Sequence, residues 1–188
     1  RCTMWNIYSI SIVKLKNVER YLDSFGKYTI QQARQVLTKK KKNVSKDLYN
    51  SLRFVVRHTK DGYEIGFYML PYGAFVDKGV SGTDNQQIFR NVEGKEVISP
   101  FKYTTKKPPA GILFKWIKNR SLKGRDKKTG RFITDKSFSF ALQNSIYKNG
   151  MKGISFFSRP LELGLKRFGE DILKSLSKDI VKEVKNNT

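Results

Sequence analysis

"LRFVVRHTKDGYEIGFYML", residues 52–70, decides the fold class. Leu52, Phe54 and Val56 recur at every second position, and Tyr63, Ile65, Phe67 and Met69 do the same. A period of two puts each set on one face of a strand. Asp61-Gly62 lies between the runs and is a strong turn signal, because the tight hairpin turns need residues that tolerate positive φ. A β-hairpin with one buried face is expected. His58 continues the apolar phase of the first strand. No thiol and no Ser/Asp arrangement accompanies it, so it reads as a packed or edge side chain rather than a catalytic base.

On both sides of the hairpin the period changes to that of helices. Upstream, over residues 17–42, Val18, Leu22, Phe25, Ala33, Val36 and Leu37 predict one long helix, weakened at its middle by Gly26. Its end is four consecutive lysines, 39–42, which suit the negative end of a helix dipole and equally suit a solvated tail or a DNA contact. Downstream, residues 84–107 form a polar excursion with a second small hairpin expected around Glu93-Gly94. Pro108-Pro109 opens a short helix with Ile112, Leu113, Trp116 and Ile117 on one side, docked on the rest of the fold.

Another helix is expected to start from Asp135 or Ser137 as its cap, to line one face with Phe138, Ala141, Leu142 and Ile146, and to stop at Gly150. From Leu161, introduced by Pro160, the positions Leu165, Phe168, Ile172, Leu176, Ile180 and Val184 repeat at three and four. With lysines and Arg167 elsewhere on the circumference, they predict a long amphipathic helix anchored in the core. The class is α+β: a long N-terminal helix, an antiparallel hairpin or small sheet, inserted short helices and loops, and a long C-terminal helix. Residues 1–13 are expected to be peripheral, and 14–188 to form a single domain with a loop-rich insertion at about 81–135.

Charge narrows the partners. Lys and Arg total 38 against 16 Asp and Glu, a formal net charge of +22, so a compact monomer repels itself and attracts polyanions. The candidates are nucleic acid, an anionic membrane surface or an acidic protein. The densest compact source of cations outside the helices is "KNRSLKGRDKKTGRFITDK", residues 118–136, with eight Lys or Arg and two Asp. Lys118, Arg120, Lys123, Arg125, Lys127, Lys128 and Arg131 are the candidate contacts to nucleic acid or an acidic partner, and a merely solvated loop is the competing reading. Phe132 is its only aromatic stacking surface.

One Cys and one His, Cys2 and His58, cannot assemble a disulfide or a Cys/His zinc site within the chain. There is no glycine-rich phosphate loop, no nucleophile elbow and no acidic cluster of the kind a metal-dependent nuclease needs, so no enzyme activity, cofactor or metal is expected. No apolar run reaches bilayer length, and "RCTMWNIYSISIVKLK" lacks the core of a signal peptide. A soluble, non-membrane protein compatible with a reducing cytoplasm is expected. The chain reads as a binding or building component.

Three segments in order resemble one family, the tail-completion or neck proteins that join head to tail in tailed bacteriophages. "SKDLYNSLRFVV", residues 45–56, is similar to the family's turn from the opening helix into its first strand. "YGAFVDKGVSGT", residues 72–83, resembles its Tyr-Ala-x-x-Val-Glu-x-Gly-Thr pattern, with Tyr72, Val76, Asp77 and Gly79 in matching places. Gly73 stands where the family has Ala, Asp77 where it has Glu, and Val80-Ser81-Gly82 intervene before Thr83. "GMKGISFFSRPLELGLKRF", residues 150–168, is similar to its Pro-Phe-Phe-x-x-Pro-Ala turn into a closing helix, with Phe156, Phe157 and Pro160 matching.

The resemblance implies a virion structural protein assembled in the host cytoplasm: a homo-oligomeric ring that meets the portal or adaptor and other neck or tail proteins. The packaged double-stranded DNA in the channel is a further candidate partner. It also implies that the central apolar stretch meets a neighbouring subunit through Tyr72, Gly73, Phe75, Val76, Asp77 and Gly79. The same small residues would equally serve a packed corner of the fold. The rival reading from another class, suggested by charge alone, is a free-standing basic nucleic-acid-binding protein.

Overall fold

The computed structural model describes residues 15–42, 45–59 and 62–186. The N-terminal segment expected to be peripheral, residues 1–13, lies outside them. Helix α1 (Lys16–Lys39) buries Val18, Phe25, Thr29, Ile30, Ala33 and Leu37, a stripe at helical spacing. It ends three residues before the expected limit. Lys41 adopts φ 51°, Lys41 N donates to Thr38 O and Lys42 N to Leu37 O, so the chain closes a left-handed terminal turn with lysine in the position that glycine usually fills. The lysine run therefore stops the helix instead of continuing it.

A short helix α2 (Asp47–Ser51) leads into the expected hairpin, β1 (Arg53–Thr59) and β2 (Gly62–Tyr68). The ladder runs from Arg53↔Tyr68 to Thr59↔Gly62. Gly62 is thus the first residue of β2, whereas an Asp61-Gly62 turn would pair residue 60 with 63. Residues 60 and 61 lie outside the described set. The two-residue difference in pairing leaves every side chain on its expected face. Phe54 and Phe67 are cross-strand partners on the face toward α1. Gly26 of α1 is what lets the hairpin lie there, because a Cβ on it would run into the Phe54 ring.

After the hairpin come α3 (Gly73–Lys78), β3 (Val80–Ser81), β4 (Ile88–Arg90) and β5 (Glu96–Ile98). Strands β4 and β5 form the expected second hairpin, with Gly94 at φ 81° in its turn. Helix α4 (Ala110–Asn119) follows Pro109, and Ile117 is its fully buried residue. Ile112 and Trp116 remain exposed, contrary to a fully docked face. Helix α5 (Asp135–Asn149) is capped by Thr134, whose Oγ1 accepts from Ser137 N at 3.2 Å, and not by Asp135 or Ser137. Ala141, expected on its inner face, is exposed, while Ser139 is buried. Gly150 ends the helix at φ 78° and begins β6 (Gly150–Met151), which pairs antiparallel with β3.

Helix α6 (Ser158–Asn186) lies against α1, and here the sequence pattern holds only in part. Among the described residues the buried positions are Ser158, Pro160, Glu162, Gly164, Ser175 and Asp179; of the expected core face Leu161, Phe168, Ile172 and Leu176 are half-buried, Phe168 against Phe25 and Tyr28, while Leu165, Ile180 and Val184 are exposed. Small and polar residues win because they let the helices approach closely and because their polar groups are served. Asp179 accepts from Asn17 N at 2.9 Å, Asn17 Nδ2 at 2.7 Å and Val18 N at 3.1 Å. A carboxylate of α6 thus caps the first turn of α1, where backbone donors have no helical acceptor and the dipole favours negative charge. The central core joins Ile30, Ala33 and Leu37 of α1 with Leu48, Leu52 and Phe156. Fully burying Phe156 alone stabilises by about 2–3 kcal/mol.

Candidate functional site

The central apolar stretch is built around Asp77, which is 3% exposed. Its Oδ1 accepts from Phe157 N at 2.7 Å and Ser158 N at 3.2 Å, and Oδ2 accepts the Ser158 hydroxyl. These donors open α6, so the carboxylate of α3 caps a helix eighty residues further along the chain. The backbone follows the side chain: Ile154 N donates to Val76 O at 3.1 Å and Ser155 N to Asp77 O at 2.9 Å. Gly79, at φ 75°, completes the junction. A Cβ there would stand 2.5 Å from Gly153 N and 2.6 Å from Met151 O, in a backbone region that side chains rarely adopt. Its carbonyl accepts from Ser99 Oγ at 2.7 Å.

The expected interface set therefore divides. Gly73, Asp77 and Gly79 are buried, and Val76 packs against the core. The close approaches that the small residues permit are within the same chain: Gly79 to Met151 and Gly153, and Gly73 to the side chains of Met69 and Leu48. Tyr72 and Phe75 face outward, and Phe75 is flanked edge-on by Phe101 with centroids 4.6 Å apart. They are the members of the set left at the surface, with Val76 and the buried three turned inward.

The basic loop divides in the same way. It is a small hairpin, closed by an Arg125↔Phe132 bridge and by Asp126 N donating to Arg131 O at 2.9 Å. Asp126 shapes the tip: its Oδ1 accepts from Lys128 N and Thr129 N at 2.8 Å each and from Thr129 Oγ1 at 3.1 Å. The N–H groups of Thr129 and Lys128, with the Thr129 hydroxyl, hold its carboxyl below the usual carboxylate range. Four of the seven candidate cations are engaged with their own chain. Lys118 lies over Phe114 at 4.8 Å, and Arg120 lies over Trp116 at 5.4 Å while donating to Lys41 O. Lys123 pairs with Asp135 at 3.1 Å, and Arg125 covers Phe132 at 4.3 Å. Lys127, Lys128 and Arg131 project from the tip, with no ion pair or ring contact among the described residues.

A third polar centre, Glu162, was not singled out from the sequence. Buried on α6, it accepts from Arg90 Nε at 3.0 Å, Arg90 Nη2 at 3.1 Å and Lys166 Nζ at 2.9 Å. The hydrogen bonds from Arg90 and then Lys166 hold its carboxyl below the usual range. Only the Glu162–Lys166 spacing is a sequence signal, and it suggests an exposed pair.

Among the described residues no group of three or more His, Cys, Asp or Glu could hold a metal ion, and no helix is long and apolar enough to cross a membrane. No protein-family model matches the chain, and no curated protein or solved structure is detectably similar to it.

Proposed function

We propose that this chain is a structural subunit of the neck of a tailed bacteriophage, a homo-oligomeric tail-completion or connector ring between portal and tail. It acts by assembly, without catalysis or a cofactor. The observation that carries the reading is convergence. The three segments that resemble the neck family, far apart in sequence, meet in one place: Leu48 and Leu52, Val76, and Phe156 share a core, and Asp77 caps Phe157-Ser158. Tyr72, Phe75 and the aliphatic side chains of Leu165, Leu173 and Ile180 stay exposed, which suits a chain that completes its burial against copies of itself. The charge of +22 on each subunit is offset in the ring by DNA phosphates or carboxylate-rich neighbours.

Imaging and light scattering of the purified protein test this directly. Closed rings that form with or without added DNA are the expected result. A second reading, a free-standing nucleic-acid-binding protein, is favoured by the cations at the loop tip beside exposed Phe132. It requires the opposite outcome: a monomer that binds oligonucleotides with a steep salt dependence and never closes a ring.

A further inference from the structure

A groove of about 880 Å³ opens where the end of α1, the β4–β5 hairpin, α4, α5 and the β6 segment come together. Neither the central stretch nor the basic-loop tip contributes to it. Its floor is apolar and uncovered: Ile112 is 64% exposed and Ile88 52%, with Trp116 and Met151 also open to solvent and the half-buried Leu113 and Ile146 completing the lining. Exposed aliphatic and aromatic side chains gathered in one depression mark an interaction site rather than scattered surface apolars. Trp116 is held in place by the Arg120 guanidinium over its ring.

The rim has one sign. Lys40, Lys42, Arg90, Lys152 and Arg159 line it against a single carboxylate, Glu96. Arg90 is committed to Glu162, while the other four cations make no ion pair with a described residue. We propose that this groove receives an acidic amphipathic helix of a partner protein, its large apolar side chains on the Ile88–Ile112–Trp116 floor and its carboxylates against the lysine rim. Charge selects the occupant. The exposed aliphatic residues Leu165, Leu173 and Ile180 on α6 of a second copy are flanked by Lys166, Arg167, Lys174, Lys178 and Lys182, so seating that helix here would set cations against a cationic rim. Duplex DNA would satisfy the rim but leave the aliphatic floor facing phosphates and sugars. Ile112, Leu113 and Trp116 of α4 with Leu142 and Ile146 of α5 give one side of the groove a helical apolar surface, which suits a helix laying its apolar face against it.

The proposal does not rest on the ring reading. The probe is a fluorescein-labelled synthetic helix of about 18 residues, five turns long, with Leu at i, i+3, i+4 and i+7 spacing and Glu and Gln elsewhere. Two controls replace every Leu by Ala or every Glu by Lys. Anisotropy with the full chain should show binding of the Leu/Glu peptide at least about tenfold tighter than either control. Ile112→Ser and Trp116→Ala should each weaken it by about tenfold, and Lys152→Glu severalfold. Ile112 and Lys152 are exposed, so both variants should melt like the parent. Equal binding of the Ala/Glu control, undiminished binding by the Ile112→Ser protein, or a duplex that displaces the peptide and itself binds less well to that variant would each overturn the proposal. A ring that forms but ignores the peptide overturns this proposal alone; a monomer that binds it overturns only the ring.

Discussion

Asp77 and Asp126 each receive two backbone N–H groups and a hydroxyl, and the two carboxylates do opposite jobs. The donors to Asp77 are Phe157 and Ser158, which it brings to α3 from the far end of the chain. The donors to Asp126 are Lys128 and Thr129, two and three residues away, so it shapes only its own turn. The same chemistry is a tie between distant elements when buried and a local turn when exposed. The central stretch is therefore mostly internal structure, and the basic loop leaves Lys127, Lys128 and Arg131 at its tip exposed to solvent.

Replacing Asp77 by Ala tests the first half of that contrast and should have the largest effect. It leaves two N–H groups and a hydroxyl buried without an acceptor, a loss of roughly 3 kcal/mol or more in urea denaturation. Asp77→Asn, which keeps an accepting oxygen, should recover part of it. Asp126→Ala should lower the denaturation midpoint far less than Asp77→Ala, since its turn is exposed, while the amides of Lys128 and Thr129 exchange faster. A loss from Asp126→Ala as large as that from Asp77→Ala would erase the distinction.

Asp179 belongs with Asp77, since it caps α1 from α6, yet two of its three donor groups belong to the exposed Asn17. Asp179→Ala should cost about 1–2 kcal/mol, less than the central cap. Glu162 sharpens the comparison through pH. Its folded carboxyl titrates below the ordinary carboxylate range, so the stabilisation is complete above the unfolded value and is lost as pH falls through the folded one. The stability gap between the parent and Glu162→Gln should be widest near neutrality and close as the solution is acidified through that range. A gap that does not change with pH would mean that the Arg90 and Lys166 contacts do not distinguish charged from neutral Glu162.

What could be read from the sequence follows from the same distinction between local and distant partners. The β1–β2 hairpin, the Gly94 turn, the Pro109 start of α4 and the Gly150 stop of α5 are each set by residues within a few positions, and their signals are in the local pattern. The inner face of α6 is legible only in part, because periodicity finds apolar residues such as Phe168, whereas α1 also meets Gly164, Ser175 and Asp179. A carboxylate on a helix looks solvated until its donor, here the start of α1, is brought beside it. For the same reason the sequence marks the stretch that holds Asp77 but not its capping role, and of Glu162 it shows only the spacing to Lys166. The cations of the basic loop were found by composition, but their division into four engaged and three projecting depends on ring and carboxylate positions that composition does not carry.

The smallest effect on stability, and the most informative for function, belongs to the loop tip. Lys127, Lys128 and Arg131 hold nothing in the fold through their side chains, so converting all three to Gln should leave the melting temperature within error of the parent. If the tip meets DNA, affinity should fall alike for every sequence, because phosphate contacts carry no base information. The slope of log K against log salt should then flatten by roughly 2 to 3, since each lost phosphate contact releases about one fewer counterion. If the tip meets an acidic protein, the DNA isotherm should stay where it is while docking to that partner weakens and becomes less sensitive to salt. Substituting Lys118, Arg120, Lys123 and Arg125 instead should lower stability more and the salt slope less, because their charges are already directed at Phe114, Trp116, Asp135 and Phe132. Equal salt slopes for the two sets would show that partners do not distinguish tip from stem, and the division drawn from the structure would fail.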